Sequence, residues 1–310
     1  MTEELKPQVK LYAILAREAP IAVVFRRGPS RRVLLVLWET DHDRFYEGQW
    51  LKGRIYERRC DLSPTGERLI YFAANYKKPF FSWTAVSRPP FLTALALWPK
   101  GDAWGGGGLF AKQNTLLLNH RAGEMKLAEG FSLPESVQVE PFGAGPGWGE
   151  DSPIVDARLE RDGWRKVQEG EAIRHGFGAS IWVEFNPAEV WAKPDPLSGA
   201  RLELQMQIQG LRQRDGPWYV IEHSISDRSN GSTVSLGKTS WADWSPSGDL
   251  LFAKEGQLFR LGHAADGALN ELERAKTLID LSDRSFKNVK SPTEATEWDS
   301  NLRLEDSAAL

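Results

Sequence analysis

An all-β chain is predicted by three features of the sequence. Apolar runs recur at roughly 8 to 12 residue intervals, the stretches between them carry turn residues, and helical periodicity is nearly missing. The composition agrees: the 310 residues include 13 tryptophans and 28 glycines. Indoles fill the space between stacked sheets, and glycine takes the positive φ of tight hairpins.

The first meander is expected over residues 9–16, 21–26 and 32–39, separated by Glu18-Ala19-Pro20 and Gly28-Pro29-Ser30. Its central run, Val33-Leu34-Leu35-Val36-Leu37-Trp38, has no polar alternation, so both faces should be covered. A second meander follows over 52–56, 69–74 and 80–86, then strong strands over 92–98 and 115–118. Residues 121–152 hold Pro134, Pro141 and Pro146 with Gly143, Gly145, Gly147 and Gly149, which reads as a loop insertion. Strands are expected again over 155–159 and 164–168. Residues 202–209, Leu-Glu-Leu-Gln-Met-Gln-Ile-Gln, alternate strictly and predict a strand with one face in the core. Residues 269–280 open with helix formers and end on a strand-like Thr277-Leu278-Ile279. A tail over 1–8, one domain over 9–298 and a frayed tail over 299–310 complete the expected organisation.

Two segments lie on each other, Asp61-Leu62-Ser63-Pro64-Thr65-Gly66-Glu67-Arg68-Leu69 and Asp243-Trp244-Ser245-Pro246-Ser247-Gly248-Asp249-Leu250. Proline presets φ at the first turn position, glycine accepts the left-handed one, and the strand starts at the leucine. This Ser-Pro-x-Gly-x-Leu pattern resembles the blade motif of WD40-like and TolB-like β-propellers. Weaker Asp-Gly turns at Asp162-Gly163, Asp215-Gly216 and Asp266-Gly267 recur at a blade-sized period of about 50 residues. The resemblance implies five or six divergent blades, with an irregular β-sandwich as the alternative. No Trp-Asp pair closes successive blades and no Gly-His opens them, each dipeptide occurring once, at Trp298-Asp299 and Gly262-His263, which departs from WD40 practice.

Composition narrows the function classes. The net charge is -3, from 39 basic and 42 acidic residues spread along the chain, so the footprint of a nucleic-acid binder is missing. No apolar run is long enough to span a bilayer and the N-terminus has no apolar signal segment, from which cytoplasmic residence is expected. Cys60 stands alone, which excludes an intrachain disulfide, and at a strand end it reads as a small buried thiol. Segment 232–239, ending Gly237-Lys238-Thr239, is one glycine short of a phosphate-binding loop and leads towards a strand instead of a helix. Asp41-His42-Asp43 places three ligand types side by side, but neighbouring side chains diverge; His120, His175, His223 and His263 are scattered. No metal or cofactor is expected. Glu150, Asp151, Asp156 and Glu184 are the acids a funnel glycosidase would draw on.

The segment from Arg88 through Trp98 and Trp104 to the run Gly105-Gly106-Gly107-Gly108 stands out. Arginine and tryptophan anchor interfaces, and four glycines cost backbone entropy, so the run reads either as a flexible connector or as a place where another backbone or a ligand comes close. Arg88, Trp98, Trp104, Gly105 and Gly106 are therefore the expected protein-binding residues. The functional expectation is a monomeric, non-catalytic scaffold or regulator of another protein, such as a toxin or defence component encoded nearby. The alternative is a hydrolase with its site in a propeller funnel.

Overall fold

The computed structural model describes residues 9–28, 31–177, 182–199, 201–211, 218–262 and 272–300, with 302, 304 and 310. Contacts fall into two compact units, one made by the chain up to Arg158 together with the stretch from Asp283 onward, the other by Leu159–Ser282. The described residues are mostly β, in five sheets. Among the described residues no helix is long and apolar enough to cross a membrane.

In the first unit β1 (Lys10–Leu15), β2 (Ile21–Arg27), β3 (Arg32–Glu39) and β4 (Arg44–Lys52) form an antiparallel meander in chain order. The second sheet comprises β5 (Arg54–Ile55), β6 (Asp61–Leu62), β7 (Leu69–Ala74), β8 (Ser82–Ser87) and β9 (Ala94–Pro99). The third joins β10 (Gly108–Lys112), β11 (Thr115–Leu118) and β12 (Gln138–Pro141), the last pairing parallel to β11.

Every residue of β7 is buried, and its two faces serve different cores. Leu69, Tyr71 and Ala73 join Val23, Phe25, Leu35 and Leu37 of the first sheet. Ile70 joins Val86, Trp98, Phe110 and Leu116 on the other side. Successive side chains point to opposite faces of a strand, so a sheet covered on both faces reads as a continuous apolar run.

One stretch departs from the sequence reading. Residues 155–159, expected as a strand, lie in the α-helix α1 (Ser152–Arg161), whose Ile154, Val155 and Arg158 are buried. Pro153 sits in the first turn, where its missing N–H costs nothing. The buried positions at i, i+1 and i+4 then form one helical stripe.

In the second unit β13 (Arg165–Gln168), β14 (Ala172–His175), β15 (Trp182–Pro194), β16 (Leu202–Leu211), β17 (Tyr219–Asp227) and β18 (Ser232–Lys238) make the fourth sheet. Its order is β13-β15-β16-β17-β18, with β14 also on β15. Leu204, Met206 and Ile208 of β16 enter the core with Trp191 and Ile225, while Gln205, Gln207 and Gln209 stay half-exposed. The near-miss phosphate loop is β18, an extended strand followed directly by another strand over Trp241–Trp244 instead of a helix. The fifth sheet is a meander of β19 (Trp241–Trp244), β20 (Leu250–Lys254), β21 (Gln257–Leu261) and β22 (Lys276–Asp280).

The two Ser-Pro-x-Gly turns close alike. Ser63 N–H donates to Arg68 O at 2.8 Å and Gly66 N–H to Ser63 O at 2.9 Å, with Gly66 at φ +81°. Ser245 N–H donates to Asp249 O at 2.9 Å and Gly248 N–H to Ser245 O at 3.0 Å, with Gly248 at φ +75°. Each serine Oγ also accepts the returning amide, Arg68 N–H at 3.1 Å and Asp249 N–H at 3.0 Å. The Asp-Gly turns at 215–216 and 266–267, His263, the turn residues Pro29 and Ser30, and residues 1–8 lie outside the described residues.

Candidate protein-binding surface

The turn between β7 and β8 holds two large side chains in a backbone conformation that favours glycine. Tyr76 has φ +59° and Phe81 φ +64°. The turn is over-determined: Asn75 N–H and Tyr76 N–H both donate to Phe81 O, at 3.1 and 3.0 Å, and Phe81 N–H donates to Lys77 O at 2.8 Å. Both rings face outward, Tyr76 40% and Phe81 39% exposed, packed edge to face with centroids 5.1 Å apart.

Tyr76 leads into the protein. Its Oη shares a 2.7 Å hydrogen bond with Tyr56 Oη, and burial followed by this bond pushes the Tyr56 phenol well above its ordinary range. Tyr56 leans on Phe72 with centroids 5.2 Å apart. The Arg59 guanidinium lies 4.6 Å from the Tyr56 centroid and 5.1 Å from that of Phe72. Arg59 is fully buried, its Nε donating to Asp151 Oδ1 at 2.5 Å and its Nη1 to Ala103 O at 2.8 Å and Gly105 O at 2.6 Å. A planar fork suits this combination of stacking and carbonyl binding.

The glycine run is therefore a seam of close approach within the chain itself. Gly105, Gly106 and Gly107 have φ +73°, +82° and +82°. A Cβ on Gly106 would stand 2.4 Å from Phe72 Cε2, and one on Gly107 2.3 Å from Arg59 O. Amide bonds tie the run on both sides: Gly105 N–H to Gly149 O at 2.8 Å, Gly106 N–H to Asn119 O at 2.8 Å, and Asn119 N–H to Gly107 O at 3.0 Å.

Beneath it His120 is buried and satisfied at both ring nitrogens. Nδ1 faces Glu124 O at 3.1 Å and Nε2 faces Thr84 Oγ1 at 2.7 Å, while Thr84 Oγ1 accepts Gly107 N–H at 2.8 Å. A carbonyl only accepts, so Nδ1 carries the proton, and in the neutral ring that burial favours Nε2 accepts from the Thr84 hydroxyl. Burial lowers the His120 pKa from 6.5 to about 4, with Lys100 adding to the shift and the Glu124 carbonyl, Glu124 and Asp102 opposing it.

Two exposed indoles stand on this seam. Trp104 is 44% exposed and its amide is held by Asp102 Oδ1 at 2.9 Å. Burial alone would raise the Asp102 carboxyl, but the bonds from Lys100 and the Trp104 amide bring it below its usual range. Trp148 is 62% exposed; Asn119 Nδ2 donates to its carbonyl at 3.1 Å, and the Arg121 guanidinium lies 5.7 Å from its centroid. A connected path thus runs from Phe81 through Tyr76, Tyr56, Ala103 and Gly105 to Gly147 and Trp148.

Of the residues expected from sequence, Trp104, Gly105 and Gly106 belong to this region, the glycines as its buried support. Trp98 is 1% exposed, in the core between the second and third sheets. Arg88 is buried too, donating to the carbonyls of Glu297 at 3.3 Å, Trp298 at 2.9 Å and Ser300 at 2.6 Å, so it anchors the C-terminal segment. Tyr76, Phe81 and Trp148 were missed by sequence reasoning. A non-glycine residue at positive φ leaves no trace in composition, and Trp148 lies in a stretch rich in turn residues.

Apart from exposed Glu150, the remaining described candidates for chemistry have structural partners. Cys60 is buried and directs its Sγ at Tyr56 O, 3.2 Å away; burial drives the thiol far above its ordinary range, away from the reactive thiolate. Arg158 donates to Cys60 O and to Tyr12 Oη. His175 pairs with Glu184 at 3.0 Å, and His223 Nδ1 meets Thr239 Oγ1 at 2.6 Å. His42 and Asp41 lie 3.5 Å apart on an exposed turn, and among the described residues no group of three or more His, Cys, Asp or Glu side chains converges.

No protein-family model matches the sequence, and no curated protein matches it either.

Proposed function

We propose that the chain is a non-catalytic protein-binding module of the cytoplasm, its five sheets the blades of a divergent β-propeller and its partner seated on the Tyr76-Phe81-Trp104-Trp148 surface. The observation that carries the binding reading is the pair of large aromatic residues held in left-handed backbone at the surface. Such strain costs on the order of 1–3 kcal/mol per residue and persists where the surroundings over-determine it, typically at binding sites. Exposed tyrosine and tryptophan over a rigid support bury much area at little entropy cost. The propeller reading draws on the two matching Ser-Pro-x-Gly turns and on the antiparallel meanders of the first and fifth sheets. The parallel β12 is a departure from a regular blade.

The test is affinity capture from the native host with the wild-type chain and with a Trp104→Ala/Trp148→Ala chain of unchanged circular dichroism. A stoichiometric partner held by the first and lost by the second supports the reading. Equal recovery by both chains refutes it.

A further inference from the structure

We infer that the partner presents an acidic segment, two or more carboxylates beside an aliphatic or aromatic side chain. This rests on the binding reading above and adds the chemical class of the occupant. Four cations border the aromatic surface. Lys77 and Lys78 are exposed on the turn between Tyr76 and Phe81. The Arg54 guanidinium covers Tyr56 at 4.3 Å, and exposed Arg121 covers Trp148 at 5.7 Å. None of the four forms an ion pair with another described residue.

The neighbouring carboxylates are mostly committed. Asp102 and Glu124 share the buried Lys100 ammonium at 2.8 and 3.0 Å, and Asp151 is taken by Arg59. Arg121 also acts on Asp102 through space. Two carboxylates on one ammonium leave one negative charge and exposed Glu150 adds a second, against four cations, so positive charge is still in excess. A guanidinium stacked on a ring still offers its N–H edge, so a carboxylate seats at the border while an apolar side chain lies on the aromatics. Complementary charge of this kind sets partner choice and association rate.

The test is selection of a random peptide library displayed on phage against the full-length chain, followed by fluorescence-anisotropy titration of the enriched peptides. Enriched sequences should be rich in Asp and Glu. Binding should weaken about tenfold or more with Lys77→Glu/Lys78→Glu, weaken in high salt, and disappear with Trp104→Ala/Trp148→Ala. Peptides that need both tryptophans but are neutral or basic and indifferent to the charge reversal overturn the acidic assignment and leave the binding surface standing. A selection that yields no tryptophan-dependent peptide overturns both.

Discussion

The buried imidazole under the glycine run gives the support of the surface a measurable pH signature. His120 is held neutral between a carbonyl and a threonine hydroxyl, with its pKa lowered from 6.5 to about 4. In the unfolded chain the ring regains its ordinary affinity for protons. Between these values the unfolded state binds more protons than the folded one, so stability falls as the solution is acidified. The contribution is intact above about pH 6.5 and is lost on the way down to about pH 4. With those two constants, linkage gives a loss of about 2 kcal/mol by pH 5 and about 3 kcal/mol by pH 4. Carboxylates titrate in the same range, so the quantity to read is a difference. Urea unfolding is followed from pH 7.5 to 4.5 for the wild-type chain and for His120→Gln, which has no titrating ring at that position. The wild-type curve should fall more steeply by the stated amount, and the His120 ring resonances should show no titration midpoint near 6.5. Parallel curves, or a midpoint near 6.5, would refute the neutral buried histidine and the chain of hydrogen bonds drawn through it.

Two further perturbations probe the same support. Gly107→Ala places a Cβ 2.3 Å from Arg59 O at φ +82° and should cost on the order of 2–3 kcal/mol, read as a lower urea midpoint at unchanged m-value. Arg59→Met keeps most of the volume but leaves the buried Asp151 carboxylate without its 2.5 Å cationic partner, and a loss of about 3–5 kcal/mol is expected. Thermal unfolding checks the second, and a loss below about 1 kcal/mol would contradict it.

How much of this was legible from the sequence depended on whether the controlling contacts are local. The alternation of residues 202–209 determines which face of β16 is buried, and the Ser-Pro-x-Gly turns are closed by atoms within six residues of each other, so both were readable. Short apolar runs are ambiguous between strand and helix, and 155–159 became α1 because a proline starts its first turn and its buried positions fall on one helical stripe. Arg88 had no local signal, since the carbonyls it binds come from residues more than 200 positions later. Trp98 sits on a strand whose neighbouring sheet, invisible in its own segment, covers that face.

The glycine run shows the limit most sharply. Four glycines in a row announce that a backbone must adopt positive φ or be approached closely, but not by what. Phe72, Arg59 and Gly147 make the approach, the first from β7, the second from the turn between β5 and β6 and the third from the loop after β12. Because those contacts are internal, the run stiffens the surface, and Trp104 leaves a fixed backbone on one side as Trp148 does on the other. Rigid presentation reduces the entropy lost when a partner docks, and the strain at Tyr76 and Phe81 is sustained by the same buried framework. Loosening the seam should therefore weaken binding even where no contacting side chain is changed. That coupling separates a built recognition surface from aromatics that merely happen to be exposed.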